Sequence, residues 1–255
     1  MHPELLKILP EVRRPSRYLG HEKNAIKKDL VGAIHESPLL KVALSYPDAY
    51  EIGMSNIGLS ILYHLLNAQP HIACERVYSP WLDMEEKMRE HNIPLLTLES
   101  SIPVRDCDIF GISIPFELTY TNILTLLNLA KIPFYSRDRD ESYPLVLGGG
   151  TGAFNPEPVA EFFDAIVVGD GEDVFLEICE VVRTIKNKKE RLLALSKIKG
   201  VYIPSFFEPI YKEDGTLLEI KPLVEGYTGV EKRSVSDLNT SFFQKSNRTT
   251  YEGGS

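Results

Sequence analysis

The stretch "LLKVALSYPDAYEIGMSNIGLSILYHLLN", residues 39–67, decides the fold. Its first part, residues 39–45, is a run of mostly apolar residues that is typical of a buried strand. Its last part, residues 57–67, carries apolar residues at the spacing of a helix. The polar, glycine-bearing connection between them is longer than a strand-to-helix turn requires. The pattern therefore predicts a strand and a helix joined by a loop that is built to hold something.

The same alternation of strand and helix continues along the chain. Further strands are predicted at 72–81, 107–115, 143–150 and 164–172, and further helices at 83–92, 119–130 and 173–186. Strands that read as continuous apolar runs and alternate with helices favour a parallel sheet covered on both faces. Because crossovers between parallel strands are right-handed, the pattern predicts an α/β fold with a doubly wound, mostly parallel sheet.

Four segments follow from this pattern. Residues 1–37 are predicted to form an N-terminal arm or cap, and residues 38–199 the α/β domain. Residues 200–238 are predicted to form a β-hairpin extension and linker, because two β-like runs flank Asp214-Gly215, a hairpin turn signal. Residues 239–255 are polar and without period, which predicts a disordered tail.

Composition narrows the class of protein. The 255 residues are 43% hydrophobic and 25% charged, with a net charge of −8, which disfavours nucleic-acid binding. The cationic runs within 13–28 and 186–191 are interpreted as solvated surface. No stretch reaches the ~20 apolar residues of a membrane span. Three scattered cysteines and no signal peptide predict a reduced, cytoplasmic protein without a structural metal site.

Four unusual loops follow the predicted strands. They read "YPDAYEIGMSN", "SIPFELTYTN", "GGGTGAFNPEP" and "GDGED". In an open parallel sheet, ligands bind at the carboxyl ends of the strands. Glycine lets a ligand approach the backbone, and serine and asparagine supply adaptable hydrogen bonds. The loops therefore predict one ligand site at this edge of the sheet.

Several common sites are absent from the sequence. It has neither a phosphate-binding G-x-x-x-x-G-K-[ST] loop nor a G-x-G-x-x-G after the first strand, and no G-x-S-x-G elbow. The histidines avoid all four loops. One weaker alternative is an independent enzyme acting on a nucleotide or sugar phosphate, which would use the acidic residues of the loops: Glu51, Glu117, Glu157, Asp170 and Glu172.

In this order the loops resemble the cobalamin-binding domain that precedes the catalytic domain of many radical S-adenosylmethionine (SAM) proteins. The D-x-H-x-x-G element of that domain resembles residues 48–53, its S-x-L element residues 113–115, and its G-G element Gly148-Gly149. The run "VVGDGED" (167–173) is similar to the one that closes such domains. Residues 15–240 as a whole resemble the N-terminal half of one uncharacterised family of radical SAM proteins.

The resemblance implies a flavodoxin-like, Rossmann-like fold that holds cobalamin at the strand ends, next to a radical SAM catalytic domain in the same chain. It implies contacts to the cofactor from all four loops. The implied residues are Asp48, Tyr50, Gly53, Ser55, Asn56, Ser113, Phe116, Glu117, Tyr120, Gly148, Gly149, Gly150, Thr151, Asn155, Gly169 and Gly171. For Asp48 and Asn56, capping of the following helix is an alternative role.

Two departures from the family pattern qualify this implication. Tyr50 stands where the family has the histidine that ligates cobalt, and a phenol with a pKa near ~10 is a poor ligand at neutral pH. The C-x-x-x-C-x-x-C motif for the iron–sulfur cluster is absent. The cluster and SAM are therefore assigned to a missing catalytic half, the sequence is interpreted as a truncated or standalone piece, and no catalytic residue is assigned.

Two hypotheses remain open at this point. In the first, the domain is a module that binds cobalamin without an axial ligand from the protein. In the second, the fold survives without cobalamin, and the domain docks on a radical SAM partner or forms a homodimer. The missing histidine favours the second hypothesis, and the retained glycine and serine loops favour the first.

Overall fold

A computed structural model describes residues 2–29 and 38–235. Within those residues the strands are β1 (Leu40–Tyr46), β2 (Ile72–Tyr78), β3 (Ile109–Ser113), β4 (Leu145–Gly149), β5 (Ala165–Val167), β6 (Val201–Tyr202), β7 (Phe207–Tyr211) and β8 (Leu217–Pro222). The helices are α1 (Pro3–Ile8), α2 (Tyr50–Met54), α3 (Ile57–Asn67), α4 (Leu82–Glu90), α5 (Tyr120–Leu129), α6 (Glu172–Thr184) and α7 (Lys188–Leu195). The predicted tail, 239–255, lies outside the described residues.

Six strands form one sheet in the order β2-β1-β3-β4-β5-β6. The first five are parallel, and β6 pairs with β5 in the antiparallel direction. The chain moves from β1 to one side for β2 and then crosses to the other side for β3. The predicted doubly wound, mostly parallel sheet is confirmed, and its switch point lies between β1 and β3.

Helices cover both faces of this sheet because successive side chains of a strand point to opposite faces. On β3, Phe110 and Ile112 pack into the core on the side of α1, α4 and α5. Ile109 packs into the core on the side of α3, α6 and α7. Both cores are built from buried aliphatic and aromatic residues, so the sheet is a middle layer with its carboxyl edge left free for loops.

The predicted hairpin is confirmed as a separate two-stranded sheet of β7 and β8. At its turn, Gly215 has a φ of 82°, which favours glycine. The Asp214 carboxylate accepts a hydrogen bond from the Thr216 amide at 2.9 Å. The strand β6, by contrast, belongs to the main sheet, and the sequence patterns did not assign it there.

The interpretation of the cationic runs as solvated surface is wrong at several positions. Arg17 is buried, with its guanidinium 5.1 Å from the Trp81 ring centroid. Arg191 is buried and donates to the Ile185 carbonyl at 3.0 Å. Lys188 donates to the Ser136 carbonyl at 2.6 Å. These long side chains lie along apolar or backbone surface while their charged ends find acceptors, which a composition-based reading cannot detect.

Candidate functional site

A cleft of about 510 Å³ lies at the carboxyl ends of β1, β3, β4 and β5. This volume is in the range of a site for a small molecule or cofactor. The cleft includes the switch point of the sheet, where Leu44 and Tyr46 of β1 face the last residues of β3. The edge of the sheet at which the four loops predicted a ligand site is therefore the edge that carries a cleft.

The inner part of the cleft is a slot between the sheet and the layer of α3 and α6. Gly111 stands at the bottom of this slot, among Leu44, Leu62 and Phe175. A Cβ atom at Gly111 would lie 3.2 Å from the Phe175 ring and 3.3 Å from Leu44. The missing side chain in mid-strand therefore lets Phe175 and Leu44 pack directly against the backbone of β3, and a larger residue would have to displace them.

The third loop, "GGGTG", lines the cleft with backbone rather than side chains. Gly150 has a φ of 111°, so a residue with a Cβ would be strained there. The Thr151 hydroxyl donates to the Pro115 carbonyl at 2.6 Å, which ties this loop to the second one. At Gly149 a Cβ would meet Val167 only at ordinary contact distance.

The first loop contains a short helix, α2, before α3 begins. Asn56 is the N-cap of α3, and its side chain accepts a hydrogen bond from the Leu59 amide at 2.8 Å. The capping role considered for Asn56 is confirmed. The same residue lines the cleft, so the cap also holds an amide at the mouth of the site.

Loss of this cap should cost about 0.5–2 kcal/mol of stability in Asn56→Ala, because one amide of the first turn of α3 loses its acceptor. Urea unfolding of the variant would measure the loss. Ser55→Ala is the matched control, since the exposed Ser55 hydroxyl donates to carbonyls inside α2 rather than capping α3. An equal loss in both variants would contradict the assigned role.

Tyr50, at the position of the histidine in the family pattern, points away from the cleft. Its side chain is 5% exposed, and its hydroxyl donates to Glu22 of the arm at 2.7 Å. Its ring packs edge-on against Tyr78, with 5.6 Å between the centroids. The Asp48 carboxylate accepts a hydrogen bond from the Ala49 amide at 2.7 Å. Neither side chain lines the cleft.

Behind Tyr50 lies a buried charged cluster formed by Glu22, Arg76 and Glu99. The Arg76 guanidinium contacts Glu99 at 2.5 Å and Glu22 at 2.9 Å, and all three side chains are buried. It also lies 4.8 Å from the Tyr63 ring centroid. Burial raises the pKa of the Glu99 carboxyl, and the nearby guanidinium opposes that rise. The cluster fixes the arm, α2 and β2 to one another.

The N-terminal arm also contacts α2 through ion pairs at the exposed side of the helix. Arg14 and Arg17 both donate to the Glu51 carboxylate, at 3.0 Å and 2.9 Å. Glu51 directly follows Tyr50, so the arm holds the two consecutive residues through independent contacts. The orientation of Tyr50 is thus set by residues that precede the α/β domain in the chain.

Nine of the sixteen predicted cofactor contacts line the cleft. They are Asn56, Ser113, Phe116, Gly148, Gly149, Gly150, Thr151, Gly169 and Gly171. The structure places the other seven outside the lining: Asp48, Tyr50, Gly53, Ser55, Glu117, Tyr120 and Asn155. At Gly53 the reason is packing, because a Cβ there would collide with the Tyr78 ring.

Several lining residues were not predicted from the sequence. They are apolar residues of β1, α3 and α6 together with one glycine, namely Leu44, Leu59, Leu62, Phe175 and Gly111. The lining acids Asp170 and Glu172 were named only for the alternative of an independent enzyme. A glycine in the interior of a strand often marks a close approach. Gly111 within "FGIS" was therefore the available signal for the slot.

The lining of the cleft includes no lysine, arginine or histidine among the described residues. Its two charged residues are Asp170 and Glu172, at the N-terminus of α6. The Asp170 carboxylate accepts a hydrogen bond from the Val235 amide at 2.8 Å. The cleft therefore offers uncharged hydrogen-bonding groups, apolar surface and negative charge, and no cation to bind a multiply charged phosphate.

The second and third loops, which contribute residues to the cleft, also expose large apolar side chains. Phe116, Leu118 and Phe154 are exposed, Leu118 to 86%, and the Lys232 ammonium lies 5.6 Å from the Phe154 ring centroid. Gly169 forms a parallel bridge with Arg233. The segment that follows the hairpin thus returns to the loop at the end of β5. Separately, no helix in the described part of the chain is long and apolar enough to cross a membrane.

The fold and the cleft define an α/β domain of the doubly wound class with a cleft at its switch point. The family of N-terminal domains of radical SAM proteins matches residues 58–204, so the chain belongs to this family. The resemblance identified from the sequence is thereby confirmed at the level of the family. Cobalamin binding is not part of that match and stays a prediction.

Similarities to a curated protein and to a solved structure were also found. The uncharacterized protein MJ0966 of Methanocaldococcus jannaschii is 24% identical over 163 residues, which cover 63% of this chain and 31% of that protein. The solved structure of the radical SAM methyltransferase TsrM from Kitasatospora setae, with cobalamin and a [4Fe-4S] cluster bound, has a TM-score of 0.43 and 15% identity. It covers 76% of this chain and 31% of TsrM. The chain thus spans about a third of each of these proteins.

Proposed function

We propose that the cleft binds a corrinoid such as cobalamin and that the domain presents it to a radical SAM catalytic domain, without a cobalt ligand from residue 50. The observation that carries the proposal is the glycine-lined cleft of about 510 Å³ at the switch point, with its slot between the sheet and α3 and α6. The nine predicted contacts that line it supply the polar groups, and seven predicted contacts lie elsewhere.

The residues present fit a corrinoid in shape and in charge. A corrinoid is a broad, flat macrocycle edged by neutral amides, and cobalamin adds a nucleotide tail with a single phosphodiester. Backbone groups at Gly149 and Gly150 and the hydroxyls of Ser113 and Thr151 can hydrogen-bond such amides. The slot between the sheet and the layer of α3 and α6 is lined by apolar side chains, which suits an aromatic tail. A flavin or adenine dinucleotide would bring phosphate charge into a cleft whose lining, among the described residues, holds no lysine, arginine or histidine.

When bound, a corrinoid supplies a methyl group for transfer or tunes a radical reaction, as the resemblance to cobalamin-binding domains implies. The proposed role of this chain's residues is binding and orientation. The backbone of the third loop and Asn56 flank the mouth of the cleft, and Phe116 offers an aromatic face at its rim. Tyr50 takes no part, since its hydroxyl is engaged by Glu22.

The proposal is tested by adding hydroxocobalamin to the purified chain, removing free ligand by desalting and recording the visible spectrum. We expect protein that stays coloured with about one corrinoid per chain. Colourless protein would reject corrinoid binding. Asn155→Ala is the matched control because Asn155 is exposed on the third loop outside the cleft, and it should retain the colour.

Replacement of Tyr50 by histidine should not create a cobalt ligand. The side chain at position 50 faces Glu22 in a buried space, so an imidazole there would sit beside a carboxylate rather than in the cleft. The visible spectrum of bound cobalamin should match in the parent protein, Tyr50→His and Tyr50→Phe. An imidazole-dependent spectral shift in Tyr50→His alone would show that residue 50 reaches the cobalt.

A second candidate function is an interaction module that has lost cobalamin binding and docks on a radical SAM partner. Two observations favour it: Tyr50 is committed to the arm, and the second and third loops expose Leu118 and Phe154. Exposed apolar patches commonly mark protein interfaces. Two results together would support this function. The folded protein would stay colourless in the hydroxocobalamin experiment, and it would bind a separately produced catalytic domain.

A further inference from the structure

The hairpin of β7 and β8 carries a concentration of exposed apolar residues, none of which lines the cleft. All six residues of β8 are exposed, and exposed large apolar side chains cluster between 211 and 223: Tyr211, Leu217, Leu218, Ile220 and Leu223. Among the described residues, no third strand pairs with this two-stranded sheet. A two-stranded hairpin alone is marginally stable in water, and its edges are templates for further pairing.

The two edges of the hairpin differ in the backbone hydrogen bonds that they can form with a further strand. The Leu223 amide donates to the Phe206 carbonyl at 2.8 Å, so the backbone of Leu223 faces the partner strand of the hairpin. Because successive residues of a strand direct their N–H and C=O groups to opposite sides, this bond shows which residues face the partner strand and which face outward. By this alternation Pro209 and its partner Ile220 both have outward-facing backbone. Proline lacks an N–H, so the edge of β7 is blocked at its centre. The edge of β8 keeps the N–H and carbonyl of Ile220.

The sequence of β8 is complementary to itself about Ile220. If two copies pair antiparallel with Ile220 opposite Ile220, then Glu219 of each copy faces Lys221 of the other, and Leu218 faces Pro222. Opposite charges and apolar pairs at directly facing positions stabilise a sheet, and like charges there destabilise it. A shift of the register by one position would place acid opposite apolar residues and lose both charge pairs.

We infer that β8 is a dimerisation edge, on which a second copy of this chain docks in the register centred on Ile220 to form a four-stranded sheet across a twofold axis. The hydrogen-bonded ladder between the two copies is confined to a short segment. At one end the pairing within the hairpin skips Leu218, opposite Ile210/Tyr211, and at the other end stands the proline at position 222. The dimer is therefore expected to be weak and to depend on protein concentration.

A disulfide tests the register directly. In an antiparallel pair the two Ile220 positions lie opposite each other, at a Cα separation of about 5.5 Å, which a disulfide spans. The native Cys74, Cys107 and Cys179 are buried, so an engineered surface cysteine would react alone. Mild oxidation of Ile220→Cys should give covalent dimers. In Leu223→Cys, the matched control, the two thiols would be about 20 Å apart in this register, and no dimer should form.

Charge reversal tests the proposal without a covalent bond. The parent chain should show a concentration-dependent dimer in sedimentation velocity. Glu219→Lys and Lys221→Glu, each alone, should be monomeric at the same concentrations, and the double variant should dimerise again. Both positions are exposed, so unchanged thermal unfolding would show that the variants fold. Any one of three results would overturn the inference. The parent chain could be monomeric at all concentrations, the dimer could persist in both single charge reversals, or the two cysteine variants could crosslink equally.

Discussion

Gly111→Leu is expected to abolish retention of hydroxocobalamin while leaving the domain folded. A leucine side chain at this position would displace Phe175 and Leu44, because even a Cβ would lie 3.2 Å from the Phe175 ring and 3.3 Å from Leu44. The leucine and the displaced side chains would then fill the slot between β3 and α6. Overpacking of this kind costs about 1–3 kcal/mol, less than the ~5–15 kcal/mol that typically stabilises a domain.

Two controls make this result interpretable. Far-ultraviolet circular dichroism and urea unfolding should show that Gly111→Leu is folded under the conditions of binding. Leu193→Ala, on α7, changes a partly exposed aliphatic residue that does not line the cleft and should bind as the parent chain does. A folded Gly111→Leu that retains the corrinoid at the parent's stoichiometry would refute the slot as part of the site.

Arg76→Met is expected to destabilise the chain by about 3–5 kcal/mol, which is the usual cost of removing one partner from a buried ion pair. The substitution keeps most of the side-chain volume but leaves Glu22 and Glu99 buried without the guanidinium that contacts both. Either carboxylate must then be buried as an unpaired charge or take up a proton. The measurement is the free energy of unfolding in urea at neutral pH.

The sign of the pH dependence follows from the same burial. Burial raises the pKa of the Glu99 carboxyl, and without the guanidinium that opposes this rise the pKa in the folded variant should lie further above its unfolded value. The variant should therefore regain stability as the pH falls and Glu99 becomes neutral. Combining Arg76→Met with Glu22→Gln and Glu99→Gln should recover much of the loss at neutral pH. A loss below ~1 kcal/mol in the single variant would contradict a structural role for the cluster.

The sheet and the edge that carries the cleft were predictable because they depend on local pattern. Apolar runs predicted β1, β3 and β4, and helical spacing predicted α3 and α5 at nearly their observed bounds. Once a parallel sheet is inferred, its carboxyl edge follows by geometry, and the loops that contain Ser113, Gly149 and Thr151 must meet there. The nine predicted residues that line the cleft come from this reasoning, and their contact with a cofactor stays a prediction.

The direction of Tyr50 was not predictable, because it depends on contacts distant in sequence. Its partner Glu22 lies in the arm, and Glu22 in turn is placed by Arg76 on β2. The same holds for Gly53, whose spacing from Asp48 suggested a cofactor contact. The glycine is required instead because the Tyr78 ring occupies the space of its side chain. Spacing alone does not show which neighbour fills that space.

The function proposed for this domain depends on whether the cleft binds a corrinoid without phosphate-binding cations in its described lining. The decisive measurement is equilibrium dialysis of the purified chain against hydroxocobalamin, with flavin mononucleotide as a competitor. We expect about one corrinoid bound per chain, unaffected by excess flavin mononucleotide and lost in Gly111→Leu. Absence of corrinoid binding by folded protein, or displacement of the corrinoid by flavin mononucleotide, would contradict it.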